Sequence, residues 1–135
     1  MAEAIARQDA FQEIEASSAG LAPLGFVADM TRQTLLRNGY VVDGLTSKPI
    51  SAEAWESADM VINMSGRARE LAFRNFGGYS KAEDWEIEDP YGNAEKYQGT
   101  YEAVRRRVAE LAQRIRKELA TRDDTKGGAA SGARP

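Results

Sequence analysis

The sequence predicts an α/β fold, with a parallel sheet carrying helices on both faces. Three observations lead there. Helix-like and strand-like segments alternate along the 135 residues, the order that builds parallel sheets. The run Met60-Val61-Ile62-Asn63-Met64 is almost continuously apolar, as a strand covered on both faces must be. From Tyr97 onward apolar residues recur at Tyr101, Val104, Val108, Leu111, Ile115 and Leu119, a stripe whose period is about 3.6.

Taken in order, "MAEAIARQ" reads as the first helix, with Ile5 and the alanines on one side. Residues 11–17 alternate loosely at Phe11, Ile14 and Ala16 and are predicted to form a short strand. "LAPLGFVAD" is a loop. Asp29 is a candidate N-cap for a helix over 30–38, closed by Gly39. Ser51 caps a short helix with Glu53 in its first turn. A strand over 59–64 follows, then a helix from Ser65 or Gly66 to about Phe76. "AEDWEI" is a second short strand, "EDPYGN" a turn, and Asn93 opens the final helix. The Gly/Ala/Ser-rich residues 122–135 are predicted to be a disordered tail behind a domain over 1–121.

Composition narrows the chemistry. The net charge of −3 argues against nucleic acid or an anionic membrane as partner. No run of about 18 apolar residues exists to span a bilayer, and the first residues do not resemble a signal peptide. A cytoplasmic location follows as the expectation. The chain holds no cysteine and no histidine. Disulfides, thiolate nucleophiles, the usual zinc sites and a Ser-His-Asp triad are therefore ruled out, and no metal or cofactor is expected.

In a parallel sheet, chemistry gathers at the carboxyl ends of the strands. Those ends are predicted at Ser17–Gly20, Met64–Gly66 and Trp85–Tyr91. Ser18 and Ser65 there lack a His or Lys activator, so they read as hydrogen-bonding residues rather than nucleophiles. Arg105, Arg106 and Arg107 share their helix with Glu102, Glu110 and Glu118 and read as a solvated face. Trp55 and Trp85 read as core anchors.

Four blocks carry a family resemblance: "MAEAIAR", "SSAG", "ADMVINMS" and "DWEIEDPYGN", in that order. Together they resemble the low-molecular-weight protein tyrosine phosphatases and the related thioredoxin-coupled arsenate reductases. The resemblance implies a flavodoxin-like fold with sheet order 2-1-3-4. It also implies phosphoryl transfer through a phosphocysteine held in a Cys-x5-Arg phosphate loop. Asp89 matches the family's general acid, and Tyr91 an aromatic wall beside the substrate. By resemblance, the first strand and the phosphate loop are absent, and "MAEAIAR" corresponds to the helix after that loop.

Three expectations follow. The chain as given is inactive as a phosphatase, because the nucleophile and the loop Arg have no counterpart. Either its start was assigned too late, or it is a truncated binding or regulatory protein whose partners include a phosphoprotein, a full-length relative or a second copy. A third reading gives it new chemistry around Asp89. An arsenate reductase relative is the less favoured branch, since that chemistry needs further cysteines. Without a central strand, residues 11–17 and 59–64 are expected to pair directly or through dimerisation.

Overall fold

The computed structural model describes residues 1–20, 28–77 and 79–130. Helix α1 (Ala2–Asp9) leads to α2 (Asp29–Arg37), α3 (Ala52–Ser57) and strand β1 (Val61–Asn63). Helix α4 (Arg69–Ala72), strand β2 (Ala82–Asp84) and the long α5 (Tyr97–Ala130) complete the order. β1 and β2 pair in parallel, with Val61 opposite Ala82, Ile62 opposite Glu83 and Asn63 opposite Asp84. The α/β class with a parallel sheet is therefore the observed one.

Helix α5 supplies one wall of the main core. Tyr97, Tyr101, Val104, Val108 and Leu111 are all buried, as the stripe predicts. Against them lie Ile5, fully buried on α1, and Leu35 of α2. Burying such a side chain contributes about 1.5–3 kcal/mol. Leu119, last in the stripe, is 47% exposed, because α5 has by then passed the elements it packs on.

A smaller core lies under α3 and α4. Trp55 stacks on Phe76 at 5.3 Å and tilts against Phe73 at 4.8 Å. Its indole N–H donates to the Gly77 carbonyl at 2.9 Å. Trp55 and Trp85 are both core residues, as expected.

Local end signals act as the sequence indicates. Ser51 Oγ accepts the Ala54 N–H at 3.1 Å at the start of α3. Gly39 takes φ +86° after α2, a left-handed turn that glycine enters without steric cost. Asp29 is the first residue of α2 rather than its cap, a place held by Ala28.

Five further expectations are corrected. Residues 11–17 are not a strand: 11–13 form a turn, and 14–19 run unpaired to an isolated parallel bridge between Gly20 and Pro49. A strand forms only where a neighbour takes its backbone groups, and among the described residues none adjoins this stretch. Instead, Ile14 and Ala16 rest on the main core, while Glu13 pairs with Arg116 at 2.5 Å. Nor do residues 11–17 and 59–64 pair with each other, since β1 has β2 as its one ladder partner among the described residues.

The helix expected over 65–76 is reduced to Arg69–Ala72. Gly66 at φ +79° breaks helical geometry, and side chains of Asn63 and Ser65 take the local N–H groups. The strand expected over 59–64 is trimmed to Val61–Asn63, with Val61 and Ile62 only half-buried. Residues 122–130, expected to begin the tail, have helical backbone that continues α5. Once a helix is nucleated, each added residue gains a hydrogen bond. The loop at 21–27 and the tail at 131–135 lie outside the described residues.

Candidate functional site

Both strands end at the same side of the molecule, and there an open cleft of about 540 Å³ forms. Its lining comes from the end of β1 and the turn after it (Asn63, Gly66, Arg67) and from Asp84 through Glu88 after β2. The predicted strand ends at Met64–Gly66 and Trp85–Tyr91 are thus brought together. The third, Ser17–Gly20, is held elsewhere: Ser18 Oγ donates to Glu3 Oε1 at 2.5 Å on α1.

One buried side chain organises the cleft floor. Asn63 donates from Nδ2 to the Arg67 carbonyl at 2.8 Å and to Asp84 Oδ1 at 2.9 Å. Its Oδ1 accepts the Ser65 N–H at 3.1 Å and the Ser65 hydroxyl at 2.7 Å. Ser65 Oγ in turn accepts the Arg67 N–H at 3.1 Å. Ser65 is therefore a hydrogen-bonding residue within a turn, as the sequence suggests. Asn63 was not predicted as a site residue. The signal for it was one amide inside an otherwise apolar run.

Three carboxylates line one wall of the cleft. Asp84, Glu86 and Glu88 all contribute. Arg69 Nε lies 3.5 Å from Asp84 while its Nη1 donates to the Ala82 carbonyl at 2.7 Å. Lys96 pairs with Glu88. Two of the nearby cations are thus engaged with carboxylates of the wall, and Arg67 is the cation in the lining itself.

Asp89 follows the last lining residue and is exposed. Its Oδ1 accepts the Tyr91 N–H at 3.0 Å, the local bond by which Asp stabilises turns. Gly92 follows at φ +85°. Tyr91 itself is 56% exposed. The two residues singled out in the sequence thus sit side by side on the loop beyond β2. Among the described residues, no group of His, Cys, Asp and Glu could hold a metal ion.

A smaller cleft of about 260 Å³ lies between β2 and α5, lined by Glu83, Trp85, Arg107 and Arg114 among others. Burial pushes the Glu83 carboxyl up, but hydrogen bonds from the Trp85 indole and Arg114 and the charges of Arg114 and Arg107 outweigh it. The net result is a pKa below the ordinary glutamate range.

A parallel α/β domain with its cleft at the carboxyl ends of the strands belongs to a large class of ligand-binding and catalytic folds. Within that class, the family model for the low molecular weight phosphotyrosine protein phosphatases matches residues 1–121, and the chain belongs to that family. Solved structures share the fold. YwlE arginine phosphatase from Geobacillus stearothermophilus is similar with TM-score 0.78 and 20% identity, over 89% of this chain and 86% of that one. YfkJ from Bacillus subtilis matches with TM-score 0.74 and 22% identity, over 87% and 86% of the two chains. An arsenate reductase in its phosphate-binding state matches with TM-score 0.66 and 25% identity, over 84% and 86%. No curated protein sequence matches the chain.

Proposed function

We propose that the chain as it stands is a non-catalytic member of this family, a binding or regulatory protein acting in the cytoplasm. The observation that carries this reading is the absence of cysteine from all 135 residues. Phosphocysteine chemistry has no nucleophile here, and thiol-based arsenate reduction has no reductant.

Magnitudes point the same way. Loss of a single oxyanion-type donor costs about 3 kcal/mol of transition-state stabilisation. A positioned general acid returns about 10²–10⁴-fold, and only on a bound substrate. Asp89 alone therefore supplies too little for turnover. The location rests on the family and on the fact that no described helix is long and apolar enough to cross a membrane.

The test is turnover of p-nitrophenyl phosphate, phosphotyrosine peptide and phosphoarginine by the purified chain, beside Asp89→Asn. Rates equal to buffer for both proteins are expected. Turnover that Asp89→Asn removes would overturn the proposal and favour chemistry centred on Asp89.

A further inference from the structure

Asn38 caps the end of α2, and the left-handed turn that follows favours glycine, here Gly39. The pair Asn38-Gly39 stands apart in the sequence, because the other asparagines precede Met64, Phe76 and Ala94. An asparagine before glycine has a nucleophile next to it. The glycine nitrogen can close on the side-chain amide carbon, since no Cβ obstructs the approach. Gly39 is exposed, and the space where a Cβ would stand is open to 4 Å.

In the structure both reacting groups are held. Asn38 Nδ2 donates to the Thr34 carbonyl at 2.8 Å and to Gln98 Oε1 at 3.0 Å. Gln98 Nε2 returns a bond to Asn38 Oδ1 at 3.3 Å. The Gly39 N–H donates to the Leu36 carbonyl at 3.1 Å. Ring closure therefore requires the amide pair between α2 and α5 to part and the Gly39 nitrogen to leave Leu36, a local opening rather than global unfolding. The amide pair is a latch over a reactive site. It also lies beside the cleft loop. Gln98 stands in the first turn of α5, between Lys96, which pairs with Glu88, and Thr100, whose hydroxyl donates to the Glu88 carbonyl at 3.4 Å.

We propose that Asn38 is a deamidation site gated by its amide pair with Gln98, and that its conversion loosens α2 from α5 beside the cleft loop. The Gly39 nitrogen bonds to Asn38 Cγ and gives up its proton, while the side-chain nitrogen leaves as ammonia and a cyclic imide forms. Water then opens the ring. Breaking the bond from nitrogen to Cγ gives aspartate. Breaking the bond from nitrogen to the backbone carbonyl carbon gives isoaspartate, with the chain rerouted through the side chain. The sum is one water consumed and one ammonia released, with no change of oxidation state. The new carboxylate keeps the bond from Gln98 Nε2 but has no hydrogen to donate. The Thr34 carbonyl and Gln98 Oε1 then face negative charge at the negative end of α2.

The test is incubation of the full chain in warm, mildly alkaline buffer, with fragment-ion mass spectrometry at intervals. Gln98→Met, which keeps the length of the side chain but removes both bonds to Asn38, is followed beside wild type. Wild type is expected to exchange NH2 for OH at Asn38 before Asn63, Asn75 or Asn93. Gln98→Met is expected to convert at Asn38 about tenfold faster, with the other asparagines unchanged. Asn38→Asp reads the consequence. Its amide hydrogen exchange is expected to quicken at Gly39 and at Tyr101 in the first turns of α5, and to stay as in wild type at Val108. Equal rates in wild type and Gln98→Met overturn the gating. So does faster conversion at every asparagine together, since global unfolding would then be the route. Conversion at Asn38 no faster than at Asn93 overturns the site, and unchanged exchange at Tyr101 in Asn38→Asp overturns the loosening.

Discussion

Asn63 and Asp84 face each other at the ends of β1 and β2, and the Asn63 amide donates to the Asp84 carboxylate at 2.9 Å. The same amide holds the Arg67 carbonyl and both polar groups of Ser65. The last ladder position thus also fixes the turn that lines the cleft.

Removing that amide should therefore cost stability and loosen the turn together. Asn63→Leu keeps the branched shape but leaves the Ser65 N–H and Arg67 carbonyl without their partner, at about 2–3 kcal/mol. Urea unfolding should show the loss, and amide exchange at Ser65 and Arg67 should quicken. If exchange there is unchanged, the turn is held by Gly66 geometry rather than by Asn63.

Lys81 closes the end of α3. Its Nζ donates to the Trp55 and Ala58 carbonyls and lies 5.1 Å from the Trp55 ring centre. Lys81→Met retains the apolar stem but loses the donor, and should destabilise by about 1.5 kcal/mol. Trp55 fluorescence during thermal unfolding reads the local effect. A melting temperature equal to wild type would mean that water replaces the ammonium without loss.

The Glu83 carboxyl is held below the ordinary range by Trp85 and Arg114 acting against burial. A depressed acid contributes stability above its unfolded pKa of about 4.3, and that contribution fades as pH falls toward its folded value. Glu83→Gln should therefore be less stable than wild type near neutral pH, and the gap should shrink on acidification to about pH 3. A gap that stays constant with pH would show that only the hydrogen bonds, and not the charge, matter.

The parts of the fold written into neighbouring residues were legible. Ser51 announced α3, Gly39 ended α2, and the Tyr97 to Leu111 stripe named the wall of the core. What depended on distant partners was not. Residues 11–17 have strand-like alternation, but a strand is decided by the neighbour that pairs with it. Asn63 looked like an interruption in an apolar run; its value comes from Asp84, 21 residues away. Nothing beside Glu3 in the sequence marks it for burial. It is 3% exposed, bonded to Ser18 and ion-paired with Arg7. That contact brings Arg7 close without completing a hydrogen bond to Glu3 Oε2. At the cleft, the Asp89 and Tyr91 loop was legible as a turn beyond a strand, and its geometry is that of a turn.

Tyr40 offers the sharpest pH test. Its hydroxyl donates to Asp9 Oδ2 at 2.6 Å, and its ring meets Tyr101 edge-on at 5.8 Å. Burial, together with the Asp9 and Tyr101 contacts, pushes the phenol well above the usual tyrosine range. Above about pH 10 the unfolded chain releases this proton while the folded chain keeps it. The folded state then binds more protons, so stability falls as pH rises, by up to about 1.4 kcal/mol per pH unit from this group. Tyr40→Phe cannot ionise and loses the Asp9 bond. It should be less stable than wild type by about 1–2 kcal/mol at neutral pH. Its stability should then decline less steeply with alkali, so the two curves converge. Urea unfolding of both proteins near neutrality and again above about pH 10 measures this. A gap of equal size in both conditions would mean that Tyr40 ionises as freely folded as unfolded, and that the Asp9 bond does not hold its proton.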